Sequence, residues 1–208
     1  MFRSRIVLSR LKNKFDRVVI LGSGPTEFQH PDLKMFRSEP VFFINQMHKF
    51  SHLCPSAHKF FFTHHISEFR EVEPTTVWIR RMFLSEHSYE GHIETRIKPK
   101  NDFIGIDCQA DDIVIDDTFI SKHSWLLDRN EVLKRNRFLA LFGTITTAIH
   151  FAWFCGAKKI TFIGCNPFSG SIEHDPRVGG KMIYSPEMVH QNTLLLPKYF
   201  DIHTEHIK

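Results

Sequence analysis

Short unbroken apolar runs recur along the chain, each closed by small, amide or charged residues. The first, Val18-Val19-Ile20-Leu21, ends at Gly22-Ser23-Gly24-Pro25-Thr26. The second is Val41-Phe42-Phe43-Ile44, ending at Asn45-Gln46. The third is Phe60-Phe61-Phe62-Thr63, ending at His64-His65, and the fourth Thr76-Val77-Trp78-Ile79, ending at Arg80-Arg81. Runs that lack alternation and are rich in β-branched or aromatic residues predict strands buried on both faces. The residues between them leave room for crossovers, so a parallel sheet is expected. A fifth run, Ile160-Thr161-Phe162-Ile163, ends at Gly164-Cys165-Asn166, and a short strand is expected near Ile202-His203-Thr204.

Helical periodicity is clearest from Gly143 to Cys155. Ile145, Ala148, Ile149, Ala152 and Trp153 fall three and four apart on one face, and Gly156 is placed to end the helix. A further helix is expected from Glu187 to about Leu195, limited by Pro197. Between 85 and 140 the pattern is weaker. Ile104, Ile106, Ile113, Val114 and Ile115 suggest one or two short strands. Asp107, Asp111, Asp112, Asp116 and Asp117 read first as turn-forming, solvated aspartates and second as a carboxylate metal site. The expectation is an α/β fold, a Rossmann-like, mostly parallel sheet with helices on both faces, forming one domain over 1–208 with a flexible lid at about 167–186.

Residues 1–14 set Arg3, Arg5, Arg10, Lys12 and Lys14 among Phe2, Ile6, Val7 and Leu11. This basic amphipathic stretch reads first as a solvated helix covering a sheet edge and second as a peripheral membrane contact. No run nears the ~18 apolar residues of a spanning helix, and no secretory h-region opens the sequence. The net charge of +4 does not demand nucleic acid, and none is expected as a partner. Cys54, Cys108, Cys155 and Cys165 have no C-x-x-C pairing, which favours a reduced, cytoplasmic protein, peripheral to the inner membrane if residues 1–14 bind it. The fourteen histidines are dispersed without metal-ligand spacing, so no metal site is expected.

Candidate chemistry gathers at the strand ends, where open α/β sheets bind ligands. Gly22 and Gly24 allow a tight turn and close approach of backbone to ligand, and Ser23 and Thr26 supply hydroxyls. The loop is neither G-x-G-x-x-G nor a P-loop, and Pro25 suits a helix start directly after it. Gly143 and Thr144 open the long helix, where free N–H groups and hydroxyls suit an anion or ribose; ordinary capping by Thr144 is the competing reading.

Taken in order, Gly22–Thr26, Asn45-Gln46, Gly143-Thr144 and the run from Gly156 to Asn166 resemble the bacterial sialyltransferases of the Campylobacter type, glycosyltransferase family 42, and related uncharacterised glycosyltransferase-like proteins. The resemblance covers about 70 residues in separated blocks. It implies transfer of an acidic sugar, of sialic acid or Kdo type, from a CMP-activated donor to a surface glycan or glycolipid, with no cofactor and no metal. Gly22, Ser23, Gly24 and Thr26 would then line the donor phosphate or cytidine. Asn45 and Gln46 would contact the nucleotide or sugar carboxylate. His64 stands where the family has an asparagine; Gly143 and Thr144 match the segment before the helix, and Gly164 and Asn166 the cytidine pocket. The resemblance makes His190 the first candidate for general base and His174 the second. Tyr184 is the counterpart of a tyrosine that steadies the leaving phosphate, with Arg177 or Lys181 as cationic substitutes. The acceptor site would be completed by a membrane or by a second copy of the chain. The alternatives are another nucleotide-binding enzyme on the same sheet, pterin pyrophosphokinase-like or methyl-transferring, and a non-catalytic binding module.

Overall fold

The computed structural model describes residues 2–22, 30–63, 74–81, 103–109, 117–139, 144–165 and 194–207. These build an α/β, Rossmann-like fold around one parallel sheet. Its strands are β1 (Arg17–Leu21), β2 (Val41–Ile44), β3 (Lys59–Thr63), β4 (Thr75–Arg81), β5 (Phe103–Gln109), β6 (Arg137–Leu139), β7 (Lys159–Ile163) and β8 (His203–Ile207). They lie in the order β6-β5-β4-β3-β2-β1-β7-β8, and every neighbouring pair is parallel. All six sequence runs are strands. β4 is longer than its run because Arg80 and Arg81 stay in the ladder, paired with Asp107 and Cys108 of β5.

Period-two alternation splits each apolar run between two cores. Val18, Ile20, Phe42, Phe60, Phe62, Ile160 and Phe162 point to one side. Val19, Leu21, Val41, Phe43, Phe61 and Ile163 point to the other. Four α-helices cover the first side: α1 (Phe2–Leu11), α3 (Arg129–Arg135), α4 (Thr144–Phe154) and α5 (Leu196–Tyr199), with the short α2 (Asp117–Lys122) nearby. The second side is covered over β1–β3 by 3-10 segments, His30–Met35 and Asn45–Leu53. Nine residues of 3-10 helix rise ~18 Å, close to the ~17 Å of a five-residue strand, so a tight helix spans the short β2–β3 crossover.

α4 is buried on nearly every side. Phe151 alone makes ring contacts with Phe42, Phe60, Phe62 and Phe138. Gly156, at φ +101°, ends α4 as expected, and a side chain there would collide with the backbone of Asn13. Pro197 does not end a helix. It stands in the first turn of α5, where its missing N–H costs nothing. Residues 187–193 of the expected helix, the lid at 167–186 and the Ile113–Ile115 run lie outside the described residues.

The middle of the chain holds elements the hydrophobic pattern did not reveal. Asp128 caps α3 by accepting from the amides of Asn130 and Glu131, and Asn136 closes it in the left-handed region at φ 52°. Asn136 also reaches β5: its Nδ2 donates to the Gly105 carbonyl at 2.9 Å, while the Gly105 amide donates to Ser4 Oγ at 3.1 Å. β6 pairs with β5 only from Asp107 onward. Two side chains therefore complete the ladder where the short edge strand stops. Asp107 lies within β5 and Asp117 opens α2, while Asp111, Asp112 and Asp116 lie outside the described residues.

Candidate functional site

The strand order reverses at β1. The chain steps outward from β1 through β2 to β6 on one side, then returns across α4 to place β7 on the other. In parallel sheets the crevice outside the carboxyl ends at such a reversal is the usual ligand site. Leu21 is aligned with both Phe43 and Ile163, so Gly22, Ile44 and Gly164 emerge at one level of the rim. Ile44 is aligned with Phe62, which sets Asn45 level with Thr63 one strand further on.

Backbone dominates the centre of this rim. The Gly22 amide donates to the Ile163 carbonyl at 2.8 Å. A Cβ on Gly22 would overlap Cys165 Sγ and lie 2.7 Å from the Gly164 carbonyl oxygen. Gly164 itself has φ +62°, a left-handed conformation that favours glycine. β1 and β7 thus approach as closely as they do because neither strand carries a side chain where they part. Cys165 is buried behind this gap. Burial pushes its thiol up to about 12, with the Gly22 amide opposing the rise. It is a packing residue of the crevice floor, as its apolar sequence context implies.

α4 aims at the same rim. β6 ends at Leu139, five residues before Thr144, the first described residue of α4. At the far end, the carbonyls of Phe154 and Cys155 accept from Asn13 and Phe15, ahead of β1, on the amino side of the sheet. The N-terminus of α4 therefore lies at the carboxyl rim, on the side of β2 and β3 that α4 packs against. Its first turn contains no acidic residue, so no carboxylate of its own offsets the positive end of the dipole. Thr144, Thr146 and Thr147 are buried there, and Thr146 Oγ1 has no hydrogen-bond partner.

Of the sequence-derived candidates, Gly22, Asn45, Thr144 and Gly164 come to one rim from four different elements. Gln46 follows Asn45 in the first turn of the 3-10 helix. Ser23, Gly24, Thr26, His64, Gly143, Asn166, His174, Tyr184 and His190 lie outside the described residues, as do Pro25, Arg177 and Lys181. Sequence reasoning missed the stagger of the sheet. Thr63 is aligned with Trp78, so β4 continues for three residues past the end of β3 and places Arg80 and Arg81 above the neighbouring rim. The signal was the run of Thr75–Arg81 as a whole, with charges that the strand carries rather than ends on.

One buried titratable group stands apart from the rim. His150, within α4, accepts the Leu139 amide at Nδ1 and faces the Leu126 carbonyl at Nε2, each at 2.9 Å. That pairing fixes the neutral Nε2–H tautomer. Burial lowers its pKa to about 4, with the Leu126 carbonyl opposing and the nearby Arg129 charge assisting. The ring stacks on Trp153 and Phe200, so it holds β6, α4, α5 and the 124–127 turn together. Among the described residues, no group of three or more His, Cys, Asp or Glu side chains is placed to hold a metal ion. No protein-family model matches the chain, and no curated protein matches it.

Proposed function

We propose that the protein is a glycosyltransferase that moves an acidic sugar of sialic acid or Kdo type from a CMP-activated donor to a glycan or glycolipid acceptor. The observation that carries this reading is the glycine-lined gap between β1 and β7 at the strand reversal, with the N-terminus of α4 opening on the same rim. A nucleotide phosphate needs close approach of backbone and a positive dipole end; the side-chain-free gap at Gly22 and Gly164 supports the first, and the N-terminus of α4 the second. Asn45 at the end of β2 supplies an amide for the base or the sugar carboxylate. The resemblance of Gly22–Thr26, Asn45-Gln46 and Gly156–Asn166 to family 42 sialyltransferases narrows the nucleotide to CMP.

The chemistry asks little of the protein. The bond from the anomeric carbon to the CMP phosphate oxygen breaks, and CMP leaves with the electron pair. The acceptor hydroxyl oxygen attacks the oxocarbenium-like carbon and gives its proton to a histidine. His190 is the first candidate for that base and His174 the second, since an imidazole near pKa 6.5 accepts a proton at neutral pH. Ser23, Gly24, Thr26, Gly143, Thr144, Gly164 and Asn166 hold the donor, His64 borders it, and Tyr184 steadies the departing phosphate. The donor is a substrate, and the reaction as written draws on no cofactor.

Thermal unfolding with a ligand panel tests this. CMP is expected to raise Tm, and ATP with Mg²⁺ or S-adenosylmethionine is not. No shift at millimolar CMP or CMP-sugar overturns the reading, and a shift with one of the others reassigns the crevice to another enzyme class. His190→Ala or His174→Ala is expected to abolish donor turnover while leaving the CMP shift intact; full turnover by both variants rules out these two histidines as the base, and a CMP shift with no turnover by the unaltered chain leaves a binding module.

A further inference from the structure

We infer that the outer surface of α1 and α3 docks on an anionic lipid bilayer. Residues 2–14 and 128–137 hold nine Lys and Arg against two Asp and Glu, a net of +7 in a chain whose total is +4. The rest of the sequence is thus slightly acidic, and the positive charge is concentrated in the two segments that hold α1 and α3, although Arg129 turns inward to the Trp153 carbonyl and Arg137 lies in β6. α1 packs on α3, and α3 on the 124–127 turn. Leu8 and Leu11, Leu126 and Val132 anchor these three elements in the same core, so their outward sides share one face of the protein.

That face carries exposed Arg5 and Arg10 on α1 and Lys134 and Arg135 on α3. Its cations are spread rather than neutralised. Glu131 is shared by Lys134 and Arg135, and Lys12 donates to the neutral Asn130. The Arg135 guanidinium lies 5.1 Å from the centre of the Trp125 ring, which ties α3 to the turn. Of the three large hydrophobic side chains exposed among the described residues, two belong to these elements: Ile6 on α1 and Leu127 in the turn, each 39% exposed.

A cationic field with aliphatic side chains in it matches an anionic bilayer, whose headgroups take the charges and whose interface accepts Ile6 and Leu127. A nucleic acid would use the cations and gain nothing from the aliphatic groups. α1 does not insert as an amphipathic helix, because its apolar side is already committed to the sheet. Binding is by adhesion of the charged side, with shallow burial of two aliphatic tips.

Co-sedimentation of the whole chain with vesicles tests the inference, using phosphatidylcholine alone or mixed with phosphatidylglycerol. Binding is expected only to the mixed vesicles and is expected to weaken as salt rises. Each of Arg5→Gln, Arg10→Gln and Lys134→Gln should cost about fivefold in affinity, and the three together on the order of a hundredfold. Ile6→Ser with Leu127→Ser should weaken binding without changing its salt dependence. These side chains are exposed, and circular dichroism checks that each variant is folded. Absence of binding to the mixed vesicles, undiminished binding by the folded single variants, or displacement from vesicles by duplex DNA overturns it.

Discussion

Gly22 and Cys165 face each other across the gap between β1 and β7 with no room for a methyl group between them. The collision of a Cβ at Gly22 has two parts, one with a thiol and one with the Gly164 carbonyl, and only the first can be removed by mutation. Gly22→Ala is expected to destabilise the fold by about 1–3 kcal/mol, the usual range for overpacking. Cys165→Ala should restore only part of that loss. Chemical denaturation of the single and double variants measures both. The same variants bear on the crevice, since Gly22→Ala pushes its lips apart and should abolish any stabilisation by CMP.

His150 makes stability depend on pH. Its folded pKa of about 4 lies below the ordinary 6.5, so the unfolded chain binds the proton more tightly. Its contribution is complete above pH 6.5, falls as pH drops toward 4 and is gone below that. The shift corresponds to about 3 kcal/mol. His150→Phe should flatten the pH dependence of unfolding between 4 and 6.5. It should also lower stability at pH 8 by about 2 kcal/mol or more, because the Leu139 amide and Leu126 carbonyl lose their partner.

Asn136 combines a left-handed backbone with a buried hydrogen bond to Gly105, and two substitutions separate these roles. Asn136→Gly keeps the backbone and should cost about 1–2 kcal/mol for the lost bond. Asn136→Ala loses both and should cost about 1 kcal/mol more. Ser4→Ala, which orphans the Gly105 amide, is expected to fall with the milder of the two. Denaturant midpoints rank all three.

The described thiols are protected by burial. Cys54, Cys155 and Cys165 are all buried, and burial pushes the thiols of Cys155 and Cys165 well above the ordinary range, the latter to about 12. A thiol-reactive reagent at pH 8 should leave these three unmodified in the native protein and label them on unfolding. Peptide mapping identifies the labelled positions.

The centre of the sheet was legible because a strand buried on both faces has to be apolar throughout, as in Val41–Ile44 and Phe60–Phe62. The long helix was legible from its period, yet the same density of apolar residues hid His150, whose role depends on backbone groups of Leu139 and Leu126. The edge was not legible. β6 has three residues and α3 seven, too few for any period to emerge, although Asp128 and Glu131 at one end and Asn136 at the other are cap residues that mark α3. Ile6 belonged on paper to the apolar side of α1, but the structure buries Leu8 and the small Ser4 there instead, since Ser4 has an amide on β5 to satisfy. The convergence of Gly22, Asn45 and Gly164 followed from strand ends alone, because a parallel sheet brings all such ends to one rim, and Thr144 joins them as the start of the helix that returns across the sheet.

Because the two lips of the crevice, Gly22 and Gly164, are 142 residues apart in the chain, the gap cannot exist in a partly made or truncated molecule. β1 emerges early and finds β2 and β3 close by, but its other neighbour arrives only after six strands and α4 are in place. Contacts of such long sequence separation form late. A ligand that needs both lips would bind only the finished molecule, and its uptake during refolding would time the arrival of β7.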